Sequence, residues 1–160
     1  MSKATFHVNR FFLGSIGNFS VQESYAIIRS SVELENHKHD LLAFLKLDTA
    51  IVPLGYWETF EKDLNEFYSP YDDEFFKQNN LVMAIVDQGS SLVNYEFVGF
   101  EIENGLLTIN VKRKAPMIQT MDFVTWVLNL ELDKSEKEFY RVEVILTDEE
   151  YPIYRYHDIS

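Results

Sequence analysis

The dipeptide Asn104-Gly105 constrains the fold of this chain more than any other feature. Both residues tolerate the positive φ angles of a type I′ turn, so the pair predicts a tight β-hairpin. If these two residues form the whole loop, Glu103 pairs with Leu106, and the register of both strands follows by counting. The count brings six apolar residues to one face, in the pairs Ile102 with Leu107, Phe100 with Ile109, and Val98 with Val111. The sequence therefore predicts a hairpin with one buried side.

Apolar periodicity divides the rest of the chain into strands, then helices, then strands again. The first two predicted strands are Ala4 to Leu13 and Ser24 to Ser30. Predicted helices run from Ser31 to about Lys46 and from Tyr56 to Tyr68, followed by a short turn from Glu74 to Gln78 that Asp72 or Asp73 caps. The later strands are Leu81 to Val86, Leu92 to Glu103, Leu106 to Lys114, Thr120 to Leu132, and Phe139 to Thr147, the last with Tyr140 and Val142 facing inward.

This order predicts an α+β fold: an antiparallel β-sheet or sandwich of about six to seven strands, with two or three helices inserted near residues 31–78. Residues 1–160 are expected to form a single domain, because a chain of this length can bury a sizeable core. Residues 81–147 are expected to supply the antiparallel core, with strands that pair mostly in sequence order. No helix is predicted between these strands, so a doubly wound parallel fold is excluded.

The charge balance restricts the partners that this chain can bind. Its 26 acidic and 14 basic residues give a formal net charge of −12. That balance disfavours nucleic-acid phosphates and anionic membranes, and it suits a soluble surface or a basic protein partner. No apolar run of 18 residues occurs, so no membrane insertion is expected.

Cysteine usage and the N-terminal residues bear on the compartment. The chain has no cysteine, which excludes disulfides and cysteine-ligated zinc. Met1 to Arg10 lacks the apolar core of a signal peptide. The expected compartment is therefore the cytoplasm if Met1 is the true start, and the cell envelope if a leader was removed.

The histidines offer little metal chemistry. His37 and His39 lie two residues apart on a predicted helix, so their side chains do not face each other. A zinc-binding helix places its two histidines four residues apart. A metal-dependent enzyme that uses His37 or His39 is therefore the least favoured hypothesis. No nucleophile or phosphate-loop motif occurs elsewhere, so no catalytic residue, metal or cofactor is predicted.

An aromatic loop is the first candidate contact for a protein partner. Tyr68 and Tyr71 flank Pro70 where the second predicted helix ends. Aromatic side chains in loops often serve recognition, so an exposed binding patch is one hypothesis for these two tyrosines. Packing of the same rings in the core is the other.

A basic run is the second candidate contact. Lys112, Arg113 and Lys114 are consecutive in a chain that is otherwise acidic. They either contact an acidic group of a partner or form pairs across the hairpin. The predicted register sets Arg113 opposite Glu96, so a cross-strand pair is expected there.

Several structural features between about residues 70 and 134 occur together in a known family. They are the segment Tyr71 to Phe76, the strand Leu81 to Val86, the loop Gly89-Ser90-Ser91, Tyr95, Asn104-Gly105 with Leu107-Thr108-Ile109, Pro116, and the strand through Trp126. This pattern resembles the PrcB-like C-terminal domain family, whose name comes from a component of a protease complex. The resemblance implies a small β-rich bacterial domain without catalysis, often exported, that supports a protease or another partner.

Three hypotheses for function remain. The first is a binding or accessory domain without catalysis, which supports a protease or an envelope complex through protein–protein contacts. The second is an acidic inhibitor or immunity-type protein that neutralises a basic partner. The third is the metal-dependent enzyme described above. A protein partner is expected in the first two, and the sequence identifies neither that partner nor the oligomeric state.

Overall fold

The computed structural model describes residues 4–12, 24–47, 54–89, 93–116 and 124–151, and these residues form an α+β fold. The elements in chain order are β1 (Ala4–Phe12), β2 (Ser24–Ile28), α1 (Ser31–Leu47), α2 (Tyr56–Tyr68), α3 (Asp73–Gln78), β3 (Asn79–Gly89), β4 (Asn94–Glu103), β5 (Leu106–Pro116), β6 (Val124–Asp133) and β7 (Arg141–Tyr151). The predicted fold class is confirmed. The predicted strand ends at Leu13, Leu92 and residues 120–123 lie outside the described residues.

The described strands form two sheets. Sheet A has the order β1-β6-β3-β2, and all of its neighbouring strands are antiparallel. Sheet B has the order β4-β5-β7, with β4 antiparallel and β7 parallel to β5. The prediction that strands in 81–147 pair antiparallel and mostly in sequence order is therefore wrong in detail. The reason is that β6 carries the chain through sheet A between β5 and β7, so β7 returns beside β5 in the same direction.

Sheet A is the middle layer of three. One of its faces packs against the helices, in a core that includes Leu34, Leu64 and Leu81. The other face packs against sheet B, in a core that includes Leu107, Ile109 and Leu130. Both faces of β6 are consequently covered, since Leu128 and Leu130 face sheet B while Val127 and Asn129 face the helices.

The helices begin where the sequence supplies a cap. At α1, the Ser30 hydroxyl accepts a hydrogen bond from the Glu33 backbone N–H at 3.1 Å. At α3, the Asp72 carboxylate accepts one from the Phe75 backbone N–H at 2.9 Å. Both contacts satisfy N–H groups that a helix start leaves without a partner. The predicted bounds of α2, Tyr56 to Tyr68, are confirmed.

The predicted hairpin is correct at its turn and wrong at its far end. Asn104 and Gly105 have φ angles of 51° and 77°, and the predicted pairing holds from Glu103 with Leu106 to Gly99 with Asn110. A β-bulge then shifts the register, so Phe97 rather than Val98 pairs with Val111. A bulge adds one unpaired residue to a strand. Val98 is that residue, and its side chain is 64% exposed.

We expect alanine at Gly105 to destabilise the fold by about 2 kcal/mol, because two penalties add. The positive φ of Gly105 is unfavourable for a residue with a Cβ. A Cβ there would also overlap the ring of Tyr140, which lies over the turn and is exposed rather than facing inward as predicted. In a Tyr140→Ala background the cost of Gly105→Ala should fall to about 1 kcal/mol. Urea unfolding of the four proteins in this cycle measures both values.

Gly99→Ala is the matched control for that cycle. Gly99 lies in β4 without a positive φ, and a Cβ built there meets no atom within 4 Å. Alanine at this position should be neutral or slightly stabilising, because it reduces the freedom of the unfolded chain. Equal losses from the two glycine substitutions would contradict the assigned roles of the turn and of Tyr140.

Candidate functional site

Tyr68 and Tyr71 are buried, so the expectation of an exposed aromatic patch is wrong. Tyr68 ends α2 and is 1% exposed, and its hydroxyl donates to Asn129 Oδ1 at 3.3 Å. Tyr71 is 8% exposed, and its hydroxyl donates to Glu131 Oε2 at 3.0 Å. Both rings pack in the helix-side core. The two phenols therefore attach the connection between α2 and α3 to strand β6.

The polar ends of these tyrosines belong to a cluster on the helix-facing side of sheet A. His7 Nε2 lies 2.5 Å from Glu131 Oε2, the same oxygen that accepts from Tyr71. Burial raises the pKa of Tyr68, and burial followed by the Glu131 charge raises the pKa of Tyr71. Asn129 is fully buried, and its Nδ2 has no hydrogen-bond partner. Both phenols therefore stay neutral donors, and they position Asn129 and Glu131.

The basic run on β5 forms ion pairs with neighbouring strands. Arg113 Nη1 lies 3.5 Å from Asp148 Oδ1 on β7, and Lys114 Nζ lies 2.8 Å from Glu96 Oε2 on β4. The predicted pairing of Arg113 with Glu96 is wrong, because the bulge at Val98 sets Glu96 opposite Lys112. The hydrogen bond from Lys114 lowers the pKa of Glu96. A partner contact by Lys112, Arg113 and Lys114 stays a prediction.

The two helical histidines lie in different environments. His37 is half-buried, with Nε2 3.2 Å from Met83 Sδ, whereas His39 is exposed beside Asp40. Within the ranges that the structure describes, no three His, Asp or Glu side chains come together as metal ligands. The geometry therefore offers no support for the metal-dependent hypothesis.

His37 should make the stability of the protein depend on pH. Burial lowers its pKa below 6.5, and the opposing effect of Asp40 is smaller. The unfolded chain therefore takes up the proton first, and this contribution to stability is complete above pH 6.5 and is lost as the pH falls through the lowered pKa. We expect the wild type to lose more free energy of unfolding than His37→Gln between pH 7.5 and 5.5. Parallel losses in urea unfolding at these pH values would contradict the burial effect.

The helices carry a large share of the negative charge. Residues 31–47 and 54–78 contain ten acidic and four basic side chains, a net charge of −6 out of −12 for the whole chain. On α2 the division is regular, because Phe60 and Leu64 face the core while charged side chains occupy the opposite side. The helical layer is therefore the most acidic described part of the surface.

A shallow groove of about 530 Å³ lies along the outer side of α2. We name it the α2 groove, and its lining residues are Glu58, Glu61, Lys62, Asn65, Glu66 and Ser69. All six are exposed. Among the described residues, the carboxylates of Glu58, Glu61 and Glu66 form no ion pair. The groove therefore presents three solvated glutamates and one lysine on a rigid helix.

The sequence contains a signal for this groove. Glu58, Glu61, Asn65 and Ser69 recur at three- and four-residue steps, out of phase with the apolar stripe that predicts α2. The charged run alone is common on solvated helices, which is why Tyr68 and Tyr71 are the more obvious candidates from the sequence. Geometry reverses that ranking, because the tyrosines face inward and the glutamates outward.

Comparison with models of protein families, with curated proteins and with solved structures found no match. Among the helices of the described ranges, none combines the length and the apolar character that crossing a bilayer requires. The candidate site therefore stands on its own geometry and charge.

Proposed function

We propose that this chain is a binding or accessory domain for another protein, and that the partner presents a basic surface to the α2 groove. One observation carries this proposal. Three exposed glutamates without ion pairs lie side by side on one rigid helix, within a layer that holds half of the net negative charge. Such an arrangement attracts cationic side chains over distances of about 10 Å at moderate salt.

The rigidity of α2 supports this function. Phe60, Leu64 and Tyr68 anchor the helix in the core, and Lys38 of α1 donates to Asn65 Oδ1 in the groove at 3.1 Å. A surface that is ordered before binding loses little conformational entropy when a partner arrives. The resemblance to PrcB-like domains favours a protease or an envelope complex as the partner. Neutralisation of a basic toxin by the same surface is the alternative.

Chemical-shift mapping tests the proposal without knowledge of the partner. An oligolysine peptide of about 15 residues serves as a probe of basic surfaces, and ¹⁵N-labelled protein reports where it binds. We expect saturable shifts at the backbone amides of Glu58, Glu61 and Glu66. The affinity should fall steeply between about 50 and 200 mM salt, because the contacts are exposed ion pairs.

Two outcomes would contradict the proposal. The first is shifts spread evenly over all exposed acidic residues, including Glu101 and Glu143 on sheet B, since the peptide would then recognise net charge alone. The second is an affinity that does not change with salt. An oligoglutamate peptide of the same length is the control, and it should cause no shift.

A further inference from the structure

A second cavity lies at one end of the sandwich, away from the α2 groove. Its volume is about 440 Å³, which is within the range of small-ligand sites. Arg29, Asn80, Lys134, Phe139 and Tyr140 are among its lining residues, and we name it the end cleft. The start of β3 and the connection between β6 and β7 form its walls.

Hydrogen bonds fix the walls of the end cleft. Arg29 Nη2 donates to the Phe139 backbone oxygen at 3.0 Å. The Lys134 backbone N–H donates to the Gln78 oxygen at 2.8 Å, and Lys134 Nζ donates to the Arg29 oxygen at 3.4 Å. These contacts join the β6–β7 connection to the segments before α1 and β3. The cleft is therefore shaped by tertiary contacts and does not require a ligand to form.

Asn80 supplies the observation that points to a ligand. Its Oδ1 is buried and has no hydrogen-bond partner, although buried acceptors are almost always paired. A ligand that offers an N–H group would satisfy this oxygen. The guanidinium of Arg29 uses Nη2 for Phe139 and has further N–H donors that suit a carboxylate.

The charge of the lining selects the class of ligand. Three cationic and three carboxylate side chains line the end cleft, so neither a net anion nor a net cation is favoured. Phe139 and Tyr140 add aromatic surface. We propose that the end cleft binds a small zwitterion, an amino acid or short peptide with free ends, whose ammonium group donates to Asn80 Oδ1 and whose carboxylate accepts from Arg29.

Titration of ¹⁵N-labelled full-length protein with trialanine tests this site. We expect saturable shifts at the amides of Asn80, Lys134 and Phe139, with a dissociation constant of about 1 mM. Trialanine that is acetylated and amidated should cause no such shifts. Asn80→Ala should weaken binding at least about 10-fold, whereas Asn80→Asp should retain it because an acceptor remains. Asn65→Ala, in the α2 groove, is the matched control and should leave the affinity unchanged.

A cycle with Arg29 protects the test against a variant that fails to fold. In the wild type, amidation of the trialanine carboxylate should weaken binding, and in Arg29→Met amidation should make no further difference. Absence of saturable shifts with free trialanine would overturn the proposal. So would equal binding of the blocked peptide, or an amidation effect that persists in Arg29→Met. The α2 groove is not involved, so these results do not decide the proposed protein-binding function.

Discussion

Leu130→Ala is expected to lower the free energy of unfolding by about 3–4 kcal/mol. Leu130 is 1% exposed and lies on β6, between the paired residues Phe6 of β1 and Val82 of β3. Its side chain faces sheet B and belongs to the core between the sheets. Truncation removes buried apolar contacts and leaves a cavity that close-packed neighbours cannot fill completely. Urea unfolding at equilibrium measures the loss from the shift of the midpoint.

Val98→Ala is the control for that substitution. Val98 is 64% exposed at the bulge of β4, so its truncation should change stability by less than about 0.5 kcal/mol. The contrast tests whether β6 is the strand that both layers share. Similar losses from Leu130→Ala and Val98→Ala would show that the two sheets do not pack as described.

Asn129→Asp should be the most pH-dependent substitution in the chain. Asn129 is fully buried on the helix side of β6, and Tyr68 donates to its Oδ1. A carboxylate at this position would lose its hydration without gaining a cation, which raises its pKa. We expect a loss of about 3 kcal/mol or more at pH 7 relative to the wild type.

The sign of the pH effect follows from that raised pKa. The folded variant holds the proton to higher pH than the unfolded chain does, so the loss is small near pH 4 and grows as the pH rises. Asn110→Asp is the matched control, because Asn110 lies on the outer face of sheet B and is only partly buried. Urea unfolding at pH 4 and pH 7 should separate the two variants at pH 7 only. Equal losses at pH 7 would contradict the burial of Asn129.

The parts of the fold that sequence reasoning predicts correctly are set by neighbouring residues. Asn104-Gly105 determines its own turn, because the φ requirement belongs to those two residues. The apolar stripe of α2 likewise contains its own period, and Ser69-Pro70 limits its end. In both cases the deciding interactions lie within a few residues of the chain.

The incorrect predictions depend on contacts that are distant in sequence. Pairing of β7 with β5 in parallel follows from the position of β6 in the other sheet, which no local pattern encodes. The bulge at Val98 shifts the ion pairs of the basic run by one position. Tyr68 and Tyr71 are buried because Asn129 and Glu131 accept hydrogen bonds from their hydroxyls. That match is invisible without the fold.

The candidate site is predictable only in part. Net charge indicates a basic partner, but it does not say where the acidic side chains gather. The α2 groove exists because the same helix that buries Phe60 and Leu64 must turn its glutamates outward. The end cleft combines Arg29, Asn80 and Phe139 from three separate segments, so only the three-dimensional structure brings it together.

A comparison of two variants with equal charge tests the proposed binding surface most directly. Glu58→Lys/Glu61→Lys/Glu66→Lys and Glu101→Lys/Glu103→Lys/Glu143→Lys both replace three exposed glutamates, and both change the net charge from −12 to −6. We predict that the first variant binds the oligolysine peptide at least about 10-fold more weakly than the second at low salt, with unchanged unfolding midpoints. Dissociation constants that agree within about twofold would show that the peptide recognises total charge, and would contradict a binding site on α2.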